Sequence, residues 1–263
     1  MNTSNQFGKT TTLRLVTKHQ NGSTFLEDTY FTAPFKIMNP FYLSKEHIEV
    51  MLLSASAAIM AGDRQEISLK VTEGSKLTFT SQSYEKIHKM EEGSASRQTD
   101  IIVEKNAYLN YMPQPVIPFA GSAFSANTVI HLADESAKFI MCDIISCGRY
   151  ARGEQFAYHY YKSLVTIYCN GKMIYRDNTN YSPEQMELAQ IGMFEGYHHV
   201  ANLIFCNLQI TEEQIQKFRV YIDSIETVSG GVTRLESGDV LVKIFGNTAQ
   251  NLEEICRELC KDL

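Results

Sequence analysis

The chain has 263 residues, 44% hydrophobic and 21% charged, the composition of an ordinary globular protein long enough to bury roughly 70–75% of its unfolded surface. Its formal net charge of −6 and pI near 5.7 offer no basic footprint for a phosphate backbone or an anionic membrane, so nucleic acid is not an expected partner. The opening residues contain no apolar signal core and no run of about 18 apolar residues follows, so a cytosolic chain without a membrane span is expected.

Taken in order, Gly8-Lys9-Thr10 imitates the end of a phosphate loop, but the first glycine of that motif would fall at position 3, which is Thr3. No nucleotide site is expected there. Short β-branched and aromatic segments follow at 67–71, 77–80, 100–103, 107–111, 129–132, 138–141 and 164–168, with Gly, Asn, Asp or Pro between many of them. This spacing predicts a mainly β body. In ISLKV the alternation puts Ile67, Leu69 and Val71 on one face and Ser68 and Lys70 on the other.

Helical signals are confined to the last third. Ser182-Pro183-Glu184 fits an N-cap with Pro at the first helical position. Thr211 with Gln214 fits a capping box opening a helix whose apolar stripe is Ile215, Phe218, Ile222 and Ile225, and a second amphipathic helix is predicted over 249–259. Between them lie Gly230-Gly231 and a strand over 240–245. The expected organisation is a β-rich body over 1–206 and a small α+β cap over 207–263, packed on it as one structural unit.

The chemical signals are sparse. Cys142, Cys147, Cys169, Cys206, Cys256 and Cys260 make no CxxC pair and read as reduced thiols; Cys256 and Cys260, one helical turn apart among Leu252, Ile255 and Leu259, read as core. His198 and His199 are adjacent and so diverge, which makes joint chelation of one ion difficult, although either could join a shared site. Ser81 and Ser83 near His88 lack a nucleophile elbow. In CDIISCGRYARGEQF, Arg149, Arg152 and Glu154 could clamp an anion, but a Gly-Arg corner with alternating charge is also how an ion pair pins a loop.

One set of segments points further. AGD at 61–63, TSQSYEKIH at 80–88, PQPVIPF at 113–119, CGRYARGEQF at 147–156 and YRDNT at 175–179 together resemble the urease accessory protein family called UreD, or UreH in its Helicobacter-type members, to which the likeness is greatest. The resemblance runs through essentially the whole chain. It departs at Lys243 in VLVKIFG, where many members carry Arg, which puts any bidentate contact from that position in doubt.

The resemblance implies a body of stacked, helically wound strands with few helices, and a scaffold and metallochaperone in place of an enzyme. It implies binding of apo-urease, recruitment of the accessory protein UreF and the GTPase UreG, and nickel in transit with no tightly bound cofactor. By the same resemblance Asp63, Glu85, Asp143 and Asp177 are carried over as lining of a polar nickel path. Physical chemistry favours such a lining, because a cage of four N or S ligands would hold the ion too tightly to release it. Each residue has a plainer reading: Asp63 and Asp177 can cap turns, and Asp143, within an apolar strand, needs a partner or water. Two rivals are a β-helical carbohydrate-active enzyme using acids such as Asp143 and Glu154, and a pure binding scaffold without a metal path.

Overall fold

Residues 10–261 are described by a computed structural model; Gly8 and Lys9 of the excluded phosphate loop and the last two residues of the predicted cap lie outside them. Two sheets face each other. The first contains β1 (Thr10–Gln20), β2 (Ser23–Phe31), β6 (Arg64–Val71), β9 (Ala95–Val103), β12 (Ala123–Leu132), β14 (Tyr160–Cys169) and β15 (Lys172–Tyr181), in the order β2-β1-β6-β9-β12-β14-β15. Its middle strands are parallel and each edge closes with an antiparallel hairpin.

The second sheet runs β3 (Phe35–Ile37), β5 (His47–Ser54), β7 (Lys76–Ser81), β10 (Tyr108–Met112), β13 (Lys138–Ser146), β16 (His199–Cys206), β18 (Val240–Gly246) and β17 (Val228–Arg234). Three short strands lie off this path: β4 (Phe41–Tyr42) on β5, β11 (Val116–Pro118) on β13, and β8 (Glu85–Ile87) on β11. From β5 to β14 the chain crosses repeatedly from one sheet to the other, adding parallel neighbours to each. That winding produces the mainly β, coiled body that the sequence resemblance implies.

Alternation builds the core. Ile67, Leu69 and Val71 point inward at 3%, 0% and 0% exposure while Ser68 faces solvent, as read from ISLKV. Their inward partners include Leu13, Leu15, Ile101, Val103 and Ile130 from the first sheet and Val50, Phe79, Leu109 and Phe139 from the second. Each such aliphatic side chain contributes about 1.5–3 kcal/mol on burial.

The two predicted helices form on the outer face of the second sheet: α1 (Glu212–Asp223), opened by the Thr211–Gln214 capping box, and α2 (Ala249–Leu259), capped by Thr248. Ile215, Phe218 and Ile222 of α1 and Leu252, Ile255 and Cys256 of α2 meet Ile140, Cys142, Ile144, Leu203 and Val242 beneath them. Cys256 is therefore a core side chain, and all six cysteines are free. The hairpin β17–β18 extends the same sheet through β16.

The helix predicted after Ser182 does not form. The Met186 N–H reaches the Ser182 carbonyl at 3.1 Å, one turn, and the chain then passes through irregular turns. Gly192, Glu195 and Gly196 have φ of 78°, 49° and 85°, and left-handed residues cannot propagate a right-handed helix. Tertiary packing decides the outcome, since the irregular path drives Leu188 and Phe194 into the core, where Phe194 packs edge-on against Phe156, Tyr181 and Phe245.

Candidate functional site

The apolar filling between the sheets is interrupted by a polar band. On the first sheet, cross-strand register aligns the inward positions Gln65–Arg97–Ala126–Ser163–Thr179, and in the next layer Ile67–Thr99–Thr128–Val165–Asp177. On the second sheet the row Asp143–Asn202–Lys243 does the same. On one side of this band lies the large apolar cluster around Leu69, Ile101 and Phe139; on the other lies a smaller cluster around Phe124, Tyr161, Ile145 and Val200.

Asp143 and Asp177 meet across the gap. With Tyr175, Asn202, Val165, Met141, Ile204 and Leu241 they line a cleft of about 10 Å³, room for roughly one water. Burial, and then the charge of Asp177, raise the Asp143 carboxyl from 3.8 to about 6, while Asn202 and Lys243 pull the other way. Asp177 also accepts a hydrogen bond from Thr179 at 2.9 Å, so its turn-capping reading gives way to a strand position facing the interior.

Glu85 joins the same band from β8. It is paired with Arg97, whose Nε donates to Gln65 Oε1 at 2.9 Å and whose guanidinium stands 5.8 Å from the Phe124 ring centre. Tyr111 and Tyr161 lie between the two halves: burial raises both phenols, Tyr111 to about 12, and both feel the charges of Glu85 and Asp143. Three of the four carried-over acids are thus brought to one seam. Asp63 stands two residues before Gln65, where its carboxylate accepts the Met60 N–H at 2.8 Å, closing the turn that leads into β6.

The Gly148–Glu154 corner is a pinned loop. Arg149 pairs with Glu154, its Nε at 2.8 Å, and lies 4.0 Å from the Phe119 ring centre, while Glu154 also accepts the Ala120 N–H at 3.1 Å. Gly148, at φ 138°, is required because a Cβ would stand 2.8 Å from the Glu154 carbonyl. Glu154 is therefore engaged in structure. Ser81 likewise accepts the Gln114 N–H at 2.9 Å, and His88 is exposed beside Phe119.

The adjacent histidines diverge as expected. His198 stacks on Tyr150 at 3.6 Å, whereas burial, with a smaller effect of His198, lowers His199 to about 4 and keeps it neutral. Among the described residues no group of three or more His, Cys, Asp or Glu is placed to hold a metal ion. Sequence reasoning missed Arg97, Asn202 and the two tyrosines. Asn202, a polar residue inside the apolar run HVANLIFC, carried the same signal as Asp143 and could have been found by it.

Comparison with known proteins places the whole chain. The family model for the UreD urease accessory protein matches residues 9–263. A urease accessory protein UreD from Acetivibrio thermocellus is 38% identical over 254 residues, covering 96% of this chain and 97% of that protein. A UreH from Helicobacter pylori strain P12 is 36% identical, covering 98% and 96%, and one from Helicobacter hepaticus is 34% identical, covering 96% and 98%. Full-length coverage at this identity, on a coiled β body whose interior brings three of the resemblance-derived acids together, shows that the chain belongs to the UreD family of urease accessory proteins.

Proposed function

We propose that this chain acts in urease maturation as a cytoplasmic, non-catalytic scaffold and metallochaperone. It binds apo-urease, recruits a UreF-type accessory protein and through it a UreG-type GTPase, and lets nickel pass along the seam to the urease active site. Family membership supports the maturation role. The observation that carries the nickel reading is the pair Asp143 and Asp177, two carboxylates facing each other between apolar layers.

The chemistry suits transit. Hard oxygen ligands and an amide hold Ni²⁺ less tightly than thiolates or several imidazoles would, so an ion that enters can leave. Because Asp143 titrates near pH 6, its proton and a cation compete for the same oxygens close to cellular pH. Lys243 at the end of the row supplies a point charge in the place of a fork.

The test is co-expression with the urease subunits and the other accessory proteins, followed by complex yield and nickel per urease active site. Asp143→Ala and Asp177→Ala are expected to keep the complex and lower nickel severalfold, while Asp63→Ala, in the turn outside the seam, is expected to leave nickel unchanged. Full nickel with an intact complex would leave only the scaffold reading. Proportional loss of both would assign these residues to the fold.

A further inference from the structure

One carboxylate of the terminal helix reaches the chain segments that carry Glu85. Of the three acids of α2, Glu254 and Glu258 are exposed, whereas the Glu253 side chain is only 12% exposed. Its Oε2 accepts the Tyr84 hydroxyl at 2.8 Å, and its Oε1 accepts Gln114 Nε2 at 2.9 Å and an Arg257 guanidinium N–H at 3.0 Å. Tyr84 and Gln114 stand 169 and 139 positions away in the chain. Acids on a helix surface are ordinarily solvated, and one drawn inward onto three donors marks a specific attachment.

Both distant partners lead into the seam. Tyr84 ends the bend between β7 and β8 and directly precedes Glu85, while Gln114 lies between β10 and β11. The two segments are tied to each other by the Gln114 N–H on Ser81 Oγ at 2.9 Å and the Glu85 N–H on the Pro115 carbonyl at 2.8 Å. Neighbouring residues of an extended chain face opposite ways, so Tyr84 packs outward against the cluster beneath α2 and Glu85 turns inward to Arg97. With three residues each, β8 and β11 form too short a ladder to fix that end alone. The far end of β8 is tied to Ile59 by bonds of 2.8 and 2.9 Å. The helix has its own seat on the sheet through Leu252, Ile255, Cys256 and Leu259.

We propose that Glu253 is a positioning residue for the seam: from the outer face of the second sheet it clamps Tyr84 and Gln114, and through them sets Glu85 against Arg97. The reason for a clamp is electrostatic. A buried pair such as Arg97–Glu85 is tolerated only while its geometry is close, since either partner alone is an uncompensated charge. An Arg97 released from Glu85 would stand as a free cation in the band that holds Asp143 and Asp177, where it would compete with a metal ion for their oxygens. The inference rests on the nickel reading of that band and adds the outer residue that keeps its charges in order.

The experiment uses the full chain co-expressed with the urease subunits and the UreF- and UreG-type proteins, read by hydrogen exchange of this chain in the recovered complex and by nickel per urease active site. We expect Glu253→Ala to speed exchange over 82–87 about tenfold and Tyr84→Phe severalfold, with α2 and β13 unchanged, and both to lower nickel severalfold at full complex yield. Glu253→Gln, which keeps one acceptor oxygen, should recover part of both losses. Arg257→Ala, at a side chain 58% exposed, should alter neither. In a Glu85→Gln background, Glu253→Ala should lower nickel no further. Unchanged exchange over 82–87, exchange raised throughout α2 and β13, or a further loss of nickel in the double variant each overturns the positioning role. Full nickel in Glu253→Ala where Asp143→Ala lowers it does the same, whereas full nickel in every one of these variants overturns the nickel reading beneath it.

Discussion

The apolar half of the core and the polar seam are built from the same strands and obey the same alternation, yet they do opposite things to stability. Around Phe139, Leu69 and Ile101 the inward positions are apolar and buried, aliphatic or aromatic apart from the thiol of Cys206 opposite Phe139, so each contributes favourably. One or two layers along, the inward positions become Arg97, Thr99, Asp143, Asn202 and Asp177, groups whose burial costs free energy unless each is paired. The alternation is the same in both halves; the chemistry of the inward side chains differs, and with it what their burial contributes.

The comparison breaks first on the apolar side. Phe139→Ala, at a residue with no exposed surface, should cost about 3–5 kcal/mol in a denaturant titration. A loss below 1 kcal/mol would mean that the two sheets do not share one packed interior. Next comes the ion pair: Arg97→Met strands Glu85 and should cost about 3 kcal/mol, while the double variant Arg97→Met, Glu85→Leu should recover at least half of that loss. A double variant worse than the single one would show the pair to be a net stabiliser.

Asp143 sharpens the contrast through pH. Its carboxyl titrates near 6 in the folded chain against 3.8 for the ordinary group, so the native state retains a proton that the unfolded state has released. Stability contributed by this group is present below pH 4 and declines as pH rises through about 4–6. Asp143→Asn should therefore gain about 1–2 kcal/mol at pH 7.5 and nothing at pH 4, measured as denaturation midpoints across pH. An equal change at both pH values would mean that the charge is not what the seam disfavours. The smallest effect belongs to Asp63→Ala, which removes one turn hydrogen bond to Met60 and should cost about 1 kcal/mol at neutral pH.

Much of the fold was legible because it follows local rules. Strands at 67–71, 77–80 and 138–141 were visible as short alternating or β-branched runs, and all three lie within strands of the fold. The cap of α1 was visible because a Thr side chain answers an N–H three residues on, a contact contained within four residues, whereas α2 was visible only by its apolar stripe and its Thr248 cap was not read. By the same local rules Ser182-Pro183 opens a helix, and it failed because the burial of Phe194 is worth more than one capped turn.

The sequence by itself determined the β-rich class, the core role of Cys256 and, through five ordered segments, the family. Only the tertiary structure decided that Glu85, Asp143 and Asp177 share one seam while Asp63 closes a turn at its end, and that Arg97 and Asn202 belong with them. The reason is register. A strand shows its own two faces in its residue order, but which inward residue lies level with which depends on pairings such as Arg97 with Gln65 and Val165 with Asp177, and on the way two sheets face each other. Those alignments join residues as distant in the chain as Asp143 and Asn202, and no local spacing encodes them.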